Sequence, residues 1–481
     1  MNISVVSRNI GIALVFNAVF MFLGAITSMI YDFDSAFSPL FLSAVITFTT
    51  GLFPLIFVSK YEDINIKEGF TIIVFSWVLS CLFGMLPYVL WGGEFSLINA
   101  WYESVSGYTT TGATILTNVE ALPNGLLFWR SSTHFLGGIG VVIFMLLILP
   151  SVSTFRMRLS KMEISALSKE NYKFKTQQTI RVITSVYVGL TIIETFCLLF
   201  AGMDFFDAIN HAFSTISTGG FSTRNESILA FNSFPIELII TIFMLLSGLH
   251  FGLLYSSIVS RSGKIFRSPI IKFYLLTVLV AIICIAFDIK ISGKVESWIM
   301  AFRQSMFQVA SIASTTGFAT TNTSVWPNLS ILLLLYLSMQ CACSGSTTGG
   351  IKSDRVYLWW KSVSTQIKKQ IHPNAVIPVR VGNHTIEHDM IASVNLYIVL
   401  YIFIVFVVGL LLSVMGINFM ESFSASIANM GNVGPGFGSI GSLGNYSGFP
   451  VMAKFILSIE MLLGRLEIYS LLLIFVIYKW R

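Results

Sequence analysis

Ten stretches of this chain are long and apolar enough to cross a hydrocarbon core, and they recur from one end to the other. They are residues 10–31, 37–58, 69–91, 127–150, 180–203, 234–260, 270–291, 329–362, 391–416 and 450–479. A core of about 30 Å takes roughly 20 helical residues. In lipid every backbone group needs a partner, which for separate apolar runs means helices. The expected fold is an all-α polytopic membrane protein with ten transmembrane helices. Composition agrees: 11% of the 481 residues are charged and 55% are hydrophobic, whereas a soluble domain carries about 25% charged residues. A water-soluble enzyme, a secreted disulfide scaffold and a disordered chain are disfavoured. The five cysteines lie in apolar stretches or in the pair Cys341 and Cys343, without zinc-ligand spacing or a disulfide framework. The first run, Ile10 to Tyr31, is too long for a cleavable signal and lacks a small-residue cleavage site.

Charge distribution gives the topology. An even number of spans puts both termini on one side. Segments 1–9, 59–68, 151–181, 261–272, 352–390 and 479–481 would share that side, and they hold 22 of the 29 Lys and Arg. By the positive-inside rule both termini are cytoplasmic. The net charge of +6 is then a topological signal, and no nucleic-acid partner is expected.

After the first two spans, four shorter segments fall on the outer side: 99-NAWYESVSGYTTTGAT-114, 207-DAINHAFSTISTGGFS-222, 304-QSMFQVASIASTTGFA-319 and 421-ESFSASIANMGNVGPG-436. They stack without gaps on Gly112, Gly220, Gly317 and Gly434. Thirteen positions upstream all are polar (Asn99, Asp207, Gln304, Glu421); six upstream all are small (Ser106, Ser214, Ser311, Ala428). The glycines are 108, 97 and 117 residues apart, a long-period repeat of span, short helix, loop and span. A single such segment reads as an extracellular loop; four in register read as a filter. The fourth is the most divergent, with Asn432–Val433 before Gly434 and with Gly431 as a rival register.

A helix of about 11 residues is roughly 16 Å long and reaches half-way across the bilayer. The chain behind it returns without regular hydrogen bonding, which is tolerated only where backbone lines water or packs in protein. Four such units around one axis place carbonyl oxygens where they replace the hydration shell of a cation. The helix C-termini direct their negative dipole ends to the same place.

These loops, together with 344-SGSTTGGIKSDR-355, 372-HPNAVIPVRVGN-383, 135-FLGGIGVVIFMLLILP-150 and 432-NVGPGFG-438, resemble the Trk/Ktr/HKT superfamily of potassium transporters. The resemblance covers nearly the whole chain, and the two extra N-terminal spans are those of the Trk-type membrane subunits. It implies K+ uptake through four M1–pore helix–M2 repeats in pseudo-fourfold arrangement around one pore. It also implies a homodimer, a cytosolic nucleotide-binding regulatory subunit and a location in the cytoplasmic (inner) membrane. The corresponding divisions are 1–68 (two N-terminal helices) and repeats at 69–150, 151–260, 261–390 and 391–481. The expected K+ ligands are Thr110, Thr111 and Gly112; Thr218, Gly219 and Gly220; Thr315, Thr316 and Gly317; and Asn432, Val433 and Gly434. Glycine at all four matched positions looks like a K+-preferring member, since a Ser in the first loop goes with Na+ transport in some plant relatives.

The eighth span is interrupted by CACSGSTTGGIKSD, Cys341 to Asp354. A continuous helix there is costly, each Gly being about 1 kcal/mol worse than Ala. Either the span ends near Gln340, or the helix breaks, lines an aqueous path and re-forms; Trp359–Trp360 and Lys361 favour re-formation. In the second case Gly345, Ser346, Thr347, Thr348, Gly349 and Gly350 form a gate. Arg465 lies inside the last span, where a charge costs about 2.5–3.5 kcal/mol and faces water or a partner. It either pairs with an acid (Glu460, Glu194 or Glu237) or stands as a fixed positive charge below the filter, and the family resemblance implies the second. Arg130, His134 and His250 read as structural. Glu103 and His211 share a column nine residues before the glycine and read as supports behind the filter; Gly137, Gly138 and Gly140 read as close helix packing.

An ion-coupled secondary K+ symporter is the alternative, but such folds usually carry inverted repeats and carboxylate-rich midplane sites. A membrane enzyme would need clustered His, Asp or Cys, and six dispersed His do not supply that. No Gly-x4-Gly-Lys-Ser/Thr loop occurs, so nucleotide sensing would fall to a partner.

Overall fold

The computed structural model describes residues 2–59, 66–147, 176–259, 263–382 and 384–477. Most of the basic segment 151–181, the middle of 59–68 and the C-terminal 479–481 therefore lie outside the described residues. Among the described residues six helices are each long and apolar enough to cross a membrane: Ile3–Ile30, Phe37–Phe57, Lys67–Trp91, Arg181–Phe200, Pro269–Ile291 and His388–Val414. The spans expected at 127–150, 234–260, 329–362 and 450–479 are not among them. The first is a helix, Asn124–Leu147, as far as it is described, and the other three are broken.

The long helices are apolar all round, so composition alone does not say which side packs. In His388–Val414 the inward face is Tyr397, Tyr401, Val405, Val408 and Leu412, while Val399, Phe403, Phe406 and Leu410 are exposed. That spacing is helical, and the exposed stripe suits lipid. The N-terminal pair Ile3–Ile30 and Phe37–Phe57 packs through glycines, a Cβ on Gly51 coming 2.8 Å from the Gly11 carbonyl oxygen. Asp34, in the turn between them, accepts from the N–H groups of Ala36 and Gly125 at 3.0 Å each.

The four aligned segments each form a short helix: Leu97–Tyr108, Phe205–Ile216, Trp298–Ala313 and Phe419–Met430. Three have 12 residues, about 18 Å at 1.5 Å per residue. Ser96 and Asp204 cap the first two, accepting from the N–H of Asn99 and Asp207. After each loop comes a 3₁₀ turn (Val119–Ala121, Ser227–Phe231, Thr323–Val325, Gly438–Ile440), a further repeated feature.

The returning helices depart from the sequence expectation. The span read as 234–260 is two helices, Phe234–Ser247 and Phe251–Val259, bent by 102°. The span read as 450–479 is Val451–Arg465 and Ile468–Ile477, with Glu467 at φ 57° between them. The first break falls at Gly248–His250 and the second between Arg465 and Glu467, polar residues inside runs that are otherwise long and apolar enough to read as single spans. The eighth span ends at Gln340 and re-forms at Ser353–Ile371. One departure from an all-α chain is a small antiparallel hairpin, Arg380–Val381 with His384–Thr385.

Gly138 illustrates how tightly the fourth span packs. A Cβ there comes 2.5 Å from the Tyr187 hydroxyl and 2.8 Å from the Ser217 Cβ. Gly138→Val is expected to destabilise the fold by about 1–3 kcal/mol through overpacking, seen as a lower melting temperature in detergent.

Candidate functional site

The four short helices end alike. Thr110, Thr218, Thr315 and Asn432 take φ of 53°, 59°, 58° and 53°, and the glycines two residues on take 77°, 84°, 79° and 95°. Between them, the N–H groups of Thr111, Gly219, Thr316 and Val433 donate back to the carbonyls of Ser106, Ser214, Ser311 and Ala428, at 2.8–2.9 Å. This is a helix C-cap with a left-handed residue, built with Thr or Asn where Gly is usual; left-handed Thr is uncommon and strained. The column of small residues six positions before each glycine thus supplies the carbonyl that closes the cap.

The four loops close on one another in a ring. A Cβ on Gly112 would overlap the carbonyl oxygen of Gly219; on Gly220, that of Thr316; on Gly317, that of Val433; and on Gly434, that of Thr111. Each glycine admits the backbone of the next loop, and the fourth returns to the first. Among the described residues no group donates a hydrogen bond to the carbonyls of 110–112, 218–220, 315–317 or 432–433. These residues are buried or half-buried, and buried carbonyls nearly always have a partner. Gly434 differs: its carbonyl accepts from the Tyr446 hydroxyl at 2.8 Å. A cavity of about 70 Å³ lies against all four glycines, with Arg130, Pro435, Ser442 and Tyr446 also in its wall.

The loops are backed by polar side chains. Glu103 accepts from the Thr114 hydroxyl (2.9 Å), the Ile115 N–H (3.0 Å) and Arg130 Nε (2.9 Å). Arg130, read from sequence as structural, forms a buried ion pair with it and lies over the Phe221 ring at 4.0 Å. His211 Nε2 meets the Ser222 hydroxyl at 2.9 Å, so Glu103 and His211 both reach the residue two beyond their glycine. His134 stacks on Phe221 with centroids 4.1 Å apart, and Gly219 leaves room for its ring. Asn432 Nδ2 donates to Thr111 Oγ1 and to the Met461 carbonyl, both at 3.0 Å. Three members of the polar column, in the first turn of their short helices, hold neighbouring groups there: Asp207 pairs with Arg224, Asn99 accepts from Lys454, and Glu421 accepts from the Ser439 N–H. Tyr446 and Arg224 fall outside the four aligned segments; their partners, the Gly434 carbonyl and Asp207, lie 12 and 17 residues before them.

The segment 341–352 lies beside this ring. Gly349 packs on Gly431 and Asn432, and its N–H donates to Thr315 Oγ1 at 3.4 Å. Thr347 donates to the Ile216 carbonyl at 3.0 Å. Ser346 and Thr348 share a hydroxyl hydrogen bond of 2.7 Å, Gly345 abuts the His250 ring, and Gly350 abuts Cys341. The kink at 248–250 fits the same segment: the Phe251 N–H donates to the Gly345 carbonyl (3.0 Å), and the Cys343 N–H donates to the Gly248 carbonyl (3.1 Å). Arg465 donates to two carbonyls, those of Thr347 (2.5 Å) and Gly137 (3.0 Å). Of the acids offered as its partners, Glu460 accepts from Ser426 and Glu237 pairs with Arg303. Glu194 is fully buried on the helix Thr176–Phe200.

The family model for TrkH, described as a cation transport protein, matches residues 40–479. The Trk system potassium uptake protein TrkH of Escherichia coli (strain K12) is 34% identical over 422 residues, covering 87% of both chains. The protein of that name from Vibrio parahaemolyticus is 31% identical and covers 98% of both. The crystal structure of the potassium transporter TrkH from Vibrio parahaemolyticus superposes with a TM-score of 0.90, at 29% identity over all of both chains.

Proposed function

Because this chain belongs to the TrkH family of cation transport proteins, we propose that it takes up K+ across the cytoplasmic membrane through a pore on the axis of the four loops. One observation carries the reading: a closed ring of buried main-chain carbonyls that have no donor among the described residues. Such oxygens suit a cation that has shed its water, and four helix C-termini around them favour positive charge. K+ is cargo here, held in passing by Thr110–Gly112, Thr218–Gly220, Thr315–Gly317 and Asn432–Gly434. Entry is downhill, driven by about 2.3 kcal/mol per charge per 100 mV of membrane potential.

The segment 345–350 and Arg465 form the barrier on the inner side of the ring. The quarters 69–150, 151–260, 261–390 and 391–481 are the repeats of the pore wall, with the pair in 1–68 outside them. Both termini face the cytoplasm, the chain works as a homodimer, and a cytosolic nucleotide-binding subunit docks on the basic stretch 352–380. That stretch includes the helix Ser353–Ile371 with Lys361, Lys368 and Lys369. Neither catalysis nor nucleic-acid binding is part of the reading. Against the symporter alternative, Glu103, the acid nearest the glycines in the first loop, is taken up by Arg130.

The test is rescue of growth at low K+, with Rb+ uptake as a second readout. The host lacks its own K+-uptake membrane subunits but keeps the cytosolic partner. Wild type is expected to restore growth; a chain that reaches the membrane and restores none overturns the proposal. Gly112→Ser, which adds a Cβ against the Gly219 carbonyl, is expected to lower both flux and K+ preference over Na+, measured by competing Na+ against Rb+ uptake.

A further inference from the structure

The segment 341–352 is closed on itself and fixed to the helix that follows it. The Ile351 N–H donates to the Met339 carbonyl (3.1 Å), and the Ser353 N–H to the Ala342 carbonyl (2.8 Å). The Ser353 hydroxyl donates to the Cys341 carbonyl (2.7 Å), and the Ser344 N–H to the Asp354 carboxylate (3.0 Å). The two ends are therefore joined, as in a compact Ω-loop, and the loop is carried by the start of Ser353–Ile371.

At that start stand two cations, and one acid from the break in the last span meets both. Glu467 Oε2 accepts from Arg355 Nη2 at 2.6 Å, and Glu467 Oε1 lies 3.6 Å from Lys352 Nζ. All three side chains are 12–14% exposed, so solvent screens them far less than a surface pair. The Arg355 guanidinium lies 4.0 Å above the Tyr397 ring, which fixes its position from the other side. Two residues before Glu467, Arg465 holds the Thr347 carbonyl. The break in the last span thus grips the loop twice, once at its tip through Arg465 and once at its exit through Glu467.

We propose that Glu467 is a positioning residue of the barrier, its ion pairs with Lys352 and Arg355 latching the 341–352 loop in the blocking position. This rests on reading that loop and Arg465 as the barrier. A pull on Ser353–Ile371 from the cytoplasm acts first on Lys352 and Arg355. With the latch intact, loop and Arg465 stay registered under the ring; with it open, the loop leaves with its helix. The ring itself is untouched by the latch, so cation preference is separate from it.

The test uses the full chain in liposomes, with Rb+ flux normalised to folded protein. Glu467→Gln is expected to raise flux about threefold or more, the range by which coupling residues shift a two-state balance, with K+ preference over Na+ unchanged. Exchanging the charges, Glu467→Arg with Arg355→Glu, is expected to return flux to the wild-type level, which a purely structural role would not predict. Lys352→Met, removing the longer contact, should raise flux less, and it serves if Glu467→Gln does not fold. A second readout is independent of conduction. With Cys81, Cys197 and Cys284 replaced by Ser, the buried Cys341 and Cys343 are expected to react faster with a small thiol reagent in Glu467→Gln than in its parent. Wild-type flux and unchanged thiol reactivity in folded Glu467→Gln would overturn the latch. A wild-type chain that conducts no K+ while its thiols respond would instead count against the pore reading.

Discussion

Gly317→Asp is expected to abolish K+ uptake, leaving below about 1% of the wild-type rate, in protein that still reaches the membrane. Three effects act together at that position. The backbone has φ 79°, where a non-glycine residue costs about 1–3 kcal/mol. A Cβ there overlaps the Val433 carbonyl oxygen and lies 2.9 Å from Pro435 Cδ, so the fourth loop has to move away from the third. Moving one loop opens the ring, because every loop is seated on its neighbour. A carboxylate beside the ring also holds a cation too tightly for rapid transit, since conduction requires binding weak enough to release. About 2.7 kcal/mol on the rate-limiting step already gives a hundredfold loss. The control is Gly448→Asp, where a new Cβ meets nothing within 4 Å; uptake there should stay at the wild-type level. Equal growth rescue by Gly317→Asp, at equal membrane abundance, would mean that this ring is not the ion path.

What made that position visible in the sequence was register, and register has a physical origin. The glycine is where two backbones meet, and the small residue six positions earlier belongs to the closing turn of the helix; both requirements recur in all four segments. The same logic failed for the breaks in the returning helices. Gly248–His250 and Leu466–Glu467 sit within runs long enough to read as single spans, and what bends the first is a pair of hydrogen bonds to Cys343 and Gly345, roughly a hundred residues away in sequence. The interruption after Gln340 was legible because its own residues resist helix. Where that segment goes was not, since its contacts are with Ile216, Thr315, Gly431 and Asn432, all distant in sequence. Hydropathy likewise marks the long helices but not their packed faces: a chain that is apolar on both its lipid and protein sides loses the periodic signal a soluble helix would show. Arg465 is the instructive case. A search for an oppositely charged residue offers Glu460, Glu194 and Glu237, whereas the structure gives its guanidinium the carbonyls of Thr347 and Gly137. Main-chain acceptors are not written in a sequence, so a cation bound to carbonyls is indistinguishable there from one awaiting a carboxylate.

The second large effect is at the same residue: Arg465→Ala is expected to raise K+ flux about tenfold or more. Arg465 donates to the Thr347 and Gly137 carbonyls, which sets its positive charge against the loop next to the ring. A like charge within roughly 5–10 Å of a cation's path raises its energy by about 2–3 kcal/mol at an effective dielectric of about 20, which corresponds to about 30–150-fold in rate. The same side chain pins the loop at Thr347, so its removal both lowers the electrostatic barrier and loosens the obstruction. Arg465→Lys separates the two contributions. It retains the charge but lacks the fork that reaches Thr347 and Gly137 together, so its flux should lie between wild type and Arg465→Ala. Arg465→Gln, which keeps a donor but no charge, should approach Arg465→Ala if electrostatics dominates and Arg465→Lys if the tether does. Rb+ flux per folded protein, measured for all three in the same liposomes, gives the order directly. Flux in Arg465→Ala no higher than wild type, with the melting temperature preserved, would remove Arg465 from the barrier and leave it a helix-packing residue.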